Sequence, residues 1–165
     1  MIELVLVIVL LGILAAVAVP RFIDLEREAR VAVIENLTGT FSSQQATIRA
    51  AASIPGRLLE VDGSDQVWLD MNGNGSIDGD ASNDQLSING RDGADILLMS
   101  KSNPNPDNYQ LHKLVDLSPN LVIELGPQRH QAYIGFDFDG DGDVKSHNCR
   151  VYYDQNRFRN RTDGC

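Results

Sequence analysis

Residues 1–25 read MIELVLVIVLLGILAAVAVPRFIDL, and between Leu4 and Val19 no side chain is polar or charged. As a helix this stretch would be about 24 Å long, a little short of a hydrocarbon core of about 30 Å, with Met1 and Ile2 lengthening it slightly. A secretory signal sequence carries basic residues ahead of its apolar run and a small-residue cleavage site behind it. Here Glu3 stands ahead and Pro20-Arg21-Phe22 behind, so an anchoring or packing helix is the expectation. Glu3 sharpens it, because a carboxylate at the mouth of an apolar helix is costly in lipid unless paired or protonated, and this helix offers no partner.

Outward from this block the helical pattern continues in one-sided form. Val33, Leu37 and Phe41 recur at intervals of four and Ile48 and Ala52 prolong the stripe, while Glu26, Arg27, Glu28, Arg30, Glu35 and Arg49 fall on the other side. Ile54-Pro55-Gly56 ends the pattern. The reading is one helix of about fifty residues, apolar all round for its first third, which cannot bury itself in a single small domain. Its first half must enter a membrane or pack against copies of itself. Pro20 lacks a backbone donor and Gly12 weakens the helix, so a kink or local melting is expected between them. The chain divides into a hydrophobic helix, 1–25, and a globular domain, 26–165, whose own helix runs to about residue 53.

Ile2-Glu3-Leu4, the apolar block closing in Gly12-Ile13-Leu14-Ala15-Ala16, and Val19-Pro20-Arg21-Phe22 together resemble the N-terminus of mature type IV pilins and the related pseudopilins. Phe22-Ile23-Asp24-Leu25 is most similar to pilins of the mannose-sensitive-haemagglutinin type. In that family the mature chain begins with a methylated Phe slightly upstream, behind a short basic leader ending in Gly, so the resemblance places Met1 at an interior position. It implies an α+β pilin fold, with a long N-terminal helix whose C-terminal half packs on an antiparallel β-sheet. It implies a homopolymer, a helical filament with the N-terminal helices bundled at its axis, in which Glu3, Gly12 and Pro20 serve assembly and Glu3 neutralises the terminal amine of a neighbouring subunit. It further implies residence in the inner membrane before assembly, handling by prepilin peptidase and the pilus assembly machinery, and display on the bacterial cell surface for attachment, adhesion or twitching motility. A type II secretion pseudopilin shares this N-terminus and is the alternative within the family. A membrane-anchored calcium-binding module is the alternative from another class.

The 165 residues amount to about one domain, and 42% hydrophobic with 22% charged content excludes wholesale disorder. The formal charge is −9; up to residue 60 acids outnumber bases only six to five, and beyond it seventeen to nine, so the charge belongs to the C-terminal part. Such a surface repels phosphate backbones, and nucleic-acid binding is not expected. Beyond residue 57, residues 66–69, 96–99, 109–115, 121–125, 132–138 and 150–153 read as short strands, mostly joined by short connections that favour antiparallel neighbours.

Two loops are rich in Asp, Asn and Gly. The first places Asp70, Asn72, Asn74 and Asp78 at positions 1, 3, 5 and 9 of an EF-hand-like calcium loop, with Ser76 at 7 and Gly75 at the sharp turn. Ala81 stands where the bidentate Glu belongs, with Asp80 or Asp84 as substitutes. The second places Asp137, Asp139, Asp141 and Asp143 at positions 1, 3, 5 and 7, with Gly142 at the turn. Four carboxylates so close repel one another by about 1 kcal/mol per pair at about 4 Å even in bulk water, a penalty that a divalent cation removes. Hard oxygen donors without nearby Cys point to calcium, in one or both loops; a solvated acidic turn is the competing reading.

Taken alone, Cys149 and Cys165 are compatible with free thiols or with a bridge, which would imply an oxidising compartment. The pilin resemblance implies the bridge. The segment they enclose carries Arg150, Arg157, Arg159 and Arg161, suited equally to subunit packing and to solvation. Neither a His-x-x-x-His spacing nor a nucleophile-elbow serine occurs, so an enzyme is not expected.

Overall fold

The computed structural model describes residues 2–60, 65, 67–78, 95–155 and 157–165. It is an α+β fold: one long N-terminal helix followed by two antiparallel sheets. Helix α1 spans Ile2–Ala52, 51 residues, which makes it about 77 Å long. It runs without interruption through Gly12 and Pro20, so the local melting expected there is not found. A proline withdraws only one donor, and the hydrogen bonds of the neighbouring turns carry the helix past it.

The helix has two environments. Up to Ala29, every residue whose exposure is described is exposed; burial begins at Arg30. From there Ile34, Leu37, Phe41, Gln45 and Ile48 turn inward. Val33, expected in this stripe, is exposed instead, and Ile34 takes its place. Steps of three and of four are mixed along the buried face because 3.6 residues make a turn, and strict steps of four drift off it. Beyond Ala52, Ser53 and Ile54 donate to Ala50 and Ala51 in tightened turns, and Gly56 takes a positive φ of 81° to reverse the chain.

The smaller sheet pairs β1 (Leu58–Glu60), β2 (Val67–Leu69) and β3 (Ile96–Leu98) in that order. The larger is a meander of β4 (Leu121–Leu125), β5 (Gln131–Phe136), β6 (Arg150–Asp154) and β7 (Arg157–Arg161). Its inner face supplies Ala132, Ile134, Val151, Tyr153 and Phe158 to the core shared with Ile34, Leu37 and Phe41. The expected strand over 109–115 is a 3-10 helix instead, Asn108–Lys113, whose first turn is capped by the Asp107 carboxylate accepting from the Tyr109 N–H. The expected strand at 132–138 stops at Phe136, and Gln66 lies outside the described residues. Strands β1 and β7 have no counterpart among the strands expected from the sequence.

Cys149 and Cys165 are joined in a disulfide. It ties the chain end beside β6, and the Cys165 carbonyl accepts from the Arg30 guanidinium of α1 at 3.5 Å.

Candidate functional site

The two acidic loops share one backbone design. In the first, the Asp70 carboxylate accepts from the N–H of Gly73 at 2.5 Å and of Gly75 at 2.9 Å. In the second, Asp137 accepts from Gly140 at 2.8 Å and Gly142 at 2.9 Å. All four glycines have positive φ, between 75° and 83°. Only glycine adopts this at little cost, and twice in three residues it wraps the backbone round one carboxylate.

Loop 70–78 is closed by its own hydrogen bonds. The Asn72 and Asn74 side-chain oxygens accept from the N–H groups of Asn74 and Ser76, at 3.0 and 2.7 Å, while both amides donate to the Asp78 carboxylate, at 2.6 and 2.7 Å. Donors, not oxygens, therefore converge on Asp78, and a cation would require both carboxamides to rotate. The fully buried Asp95, not singled out in the sequence, spans the loop's ends: its two oxygens accept from Met71 at 2.9 Å and Asp78 at 2.7 Å. Arg57 donates to the carbonyls of Asp70 and Met71. The Gly75 N–H, and after it Gly73, Asn74 and the Arg57 charge, hold Asp70 below the usual carboxylate range against the opposing effect of burial. Asp80, Ala81 and Asp84 lie outside the described residues.

Loop 137–143 is more open to a cation. Ligand atoms of Asp137, Asp139, Asp141 and His147 all lie within 4.8 Å of one another. Asp143 is not among them; its carboxylate accepts from the Ser146 N–H at 2.9 Å. His147 Nε2 stands 3.2 Å from Asp139 Oδ1, and this contact is the main reason that the Asp139 carboxyl titrates low. The ring is held by an edge-on contact with Phe138, over which Arg30 also lies. Below the loop Val144 is fully buried, and Arg150 donates to the carbonyls of Lys145 and His147. Three carboxylates suit a hard cation, while an imidazole nitrogen is a better donor for transition ions. His147 carries no regular metal-ligand spacing to Asp139, which is why the sequence does not reveal it.

The residues expected to serve assembly lie elsewhere. Glu3 occupies the first turn of α1 and is exposed. A Cβ added at Gly12 would meet nothing within 4 Å, so packing inside this chain does not require a glycine there. Pro20 falls inside the helix.

No family model, curated protein or solved structure matches this chain.

Proposed function

We propose that this chain is a structural, non-catalytic subunit that polymerises into a type IV pilus. One observation carries the reading: from Ile2 to Leu25 the helix exposes large apolar side chains on all sides, among them Leu4 at 70% and Phe22 at 70%, while the folded domain covers only the second half. Each such side chain gains about 1.5–3 kcal/mol from burial, so this half has an occupant, lipid before assembly and other copies of itself afterwards. It is long and apolar enough to cross a membrane. Gly12, with open space round it, suits close approach of a second helix.

On this reading the subunit waits in the inner membrane, is handled by prepilin peptidase and the assembly machinery, and is displayed at the bacterial surface for attachment, adhesion or twitching. The disulfide suits that oxidising location. Calcium in the loop of Asp137, Asp139 and Asp141, and more weakly in that of Asp70, stiffens the exposed domain. Electron microscopy of wild-type and deletion cells tests the proposal: long surface filaments present only in the wild type support it, and identical surfaces remove it.

A further inference from the structure

The outer face of the larger sheet is charged opposite to the rest of the domain. Of nine basic residues beyond residue 60, five fall between Lys145 and Arg161, in a chain of net charge −9. The register aligns Tyr133 with Tyr152 and Tyr152 with Arg159, and Gly135 with Arg150 and Arg150 with Arg161. The tyrosine rings stack at 5.0 Å, and the Arg150 guanidinium lies over Tyr133 at 5.4 Å. A Cβ on Gly135 would come 2.4 Å from the Cys149 carbonyl, so only glycine lets β5 and β6 approach here. The same face holds a cavity of about 400 Å³, lined by Tyr133, Arg150, Tyr152, Arg159, Asn160 and Arg161.

Arg150 is only 8% exposed, and its Nε has no hydrogen-bond partner among the described residues. Its charged neighbours include Arg161, Glu124 and Asp143. Arg157 and Arg159 form no ion pair among the described residues, and Arg161 reaches only the exposed Asp163, at 3.8 Å. Crowded guanidiniums lining one cavity make a receptor for an anion.

We propose that this cavity takes a carboxylate from a second copy of the chain, so that the acidic domain of one subunit docks on the arginine face of the next. Charge complementarity selects that occupant: domains this acidic repel when stacked unless a basic surface intervenes, and this face supplies one. The inference rests on the polymer reading.

The test uses the full-length chain, assembled from detergent by dilution and followed by sedimentation. The wild type should assemble less as NaCl rises from about 0.1 to about 1 M, which shortens the Debye length from about 10 to about 3 Å. R159Q/R161Q should need about fivefold more protein to assemble, equivalent to about 1 kcal/mol per contact, and should lose most of the salt dependence. Its circular dichroism and melting temperature should match the wild type. R161K, assembled from equal amounts of ¹⁴N and ¹⁵N protein and treated with carbodiimide, should give mixed-isotope peptides in which the amine introduced at position 161 of one copy is joined to an Asp or Glu of another. Unchanged assembly by R159Q/R161Q, links only within one copy, or Arg-dependent binding of heparin or DNA without any effect on assembly would each overturn the docking proposal while leaving polymerisation intact. A wild type that never sediments would overturn the polymer reading as well.

Discussion

The ring of Phe41 in α1 lies flat against that of Phe158 in β7, with centroids 4.9 Å apart and planes inclined by 13°. Tyr153 continues the stack from β6, its centroid 4.6 Å from that of Phe158, and donates its hydroxyl proton to the Pro106 carbonyl at 2.6 Å. This column joins helix, last strand and the segment before the 3-10 helix, and it is where the exposed half of α1 is anchored to a folded domain. Phe41→Ala should cost about 3–5 kcal/mol, through lost burial and the cavity left behind. Denaturant melts of the detergent-solubilised chain check this; a loss under about 1 kcal/mol would mean that the helix is not held by this contact.

Removing the disulfide should also destabilise the domain. With a separation of 16 residues, the bridge restrains the unfolded chain by about 3 kcal/mol in the chain-entropy model. C149S/C165S should therefore melt at a lower temperature and loosen the end of the chain beside Arg30. Hydrogen exchange should rise first at 157–165, and equal protection with and without the bridge would contradict this account.

The lowered pKa of Asp70 makes loop 70–78 sensitive to acid. Because the folded-state value lies below the unfolded one, the stabilisation is present above the unfolded pKa, about 3.9, and is lost as pH falls through the folded value. Protection factors of the Gly73 and Gly75 amides, corrected for the intrinsic pH dependence of exchange, should fall below about pH 4 in the wild type, and should already be low at neutral pH in Asp70→Ala. Protection that is indifferent to both changes would show that the carboxylate does not hold the turn.

The long helix was legible because it is written in composition: an apolar run, then a stripe, then Pro55-Gly56. Its buried register was not, since Val33 and Ile34 are both apolar neighbours and only tertiary contact selects between them. Strand β7, with Phe158 its only buried residue, gives almost no alternating signal, so pairing with β6 rather than propensity makes it a strand. The run from Tyr109 resembles a strand until Asp107 is seen to cap it as a 3-10 helix. The loops showed their glycines and carboxylates at fixed spacing, whereas Asp95 and His147 reach them through folding, which no local pattern records.

Glu3→Ala should leave a membrane-inserted monomer that assembles poorly. If Glu3 neutralises the terminal amine of a neighbour, the pair enters lipid more cheaply than a bare carboxylate, and removing the acid removes the guidance that orders the helices. Cell fractionation and filament yield measure the two halves of this expectation. Normal filament yield would exclude the role, whatever the membrane content.

Calcium should raise the melting temperature of the full chain, chiefly through the loop at Asp137. The three carboxylates there already converge, whereas in loop 70–78 the Asn72 and Asn74 amides must first rotate. Neither loop has a demonstrated bidentate Glu, so affinity should be modest, about 10⁻⁴ to 10⁻³ M. At 100-fold excess over that value the ion would add about 2.7 kcal/mol, which corresponds to a rise of about 5–11 °C for a domain of this size. Asp139→Ala should abolish most of the rise and Asp70→Ala little of it. His147→Ala should preserve it, because calcium prefers oxygen donors, and should weaken any stabilisation by zinc or manganese. A melting temperature unaffected by calcium and chelator would leave both loops as solvated turns; a response to zinc alone, lost in His147→Ala, would give the cluster to a transition ion.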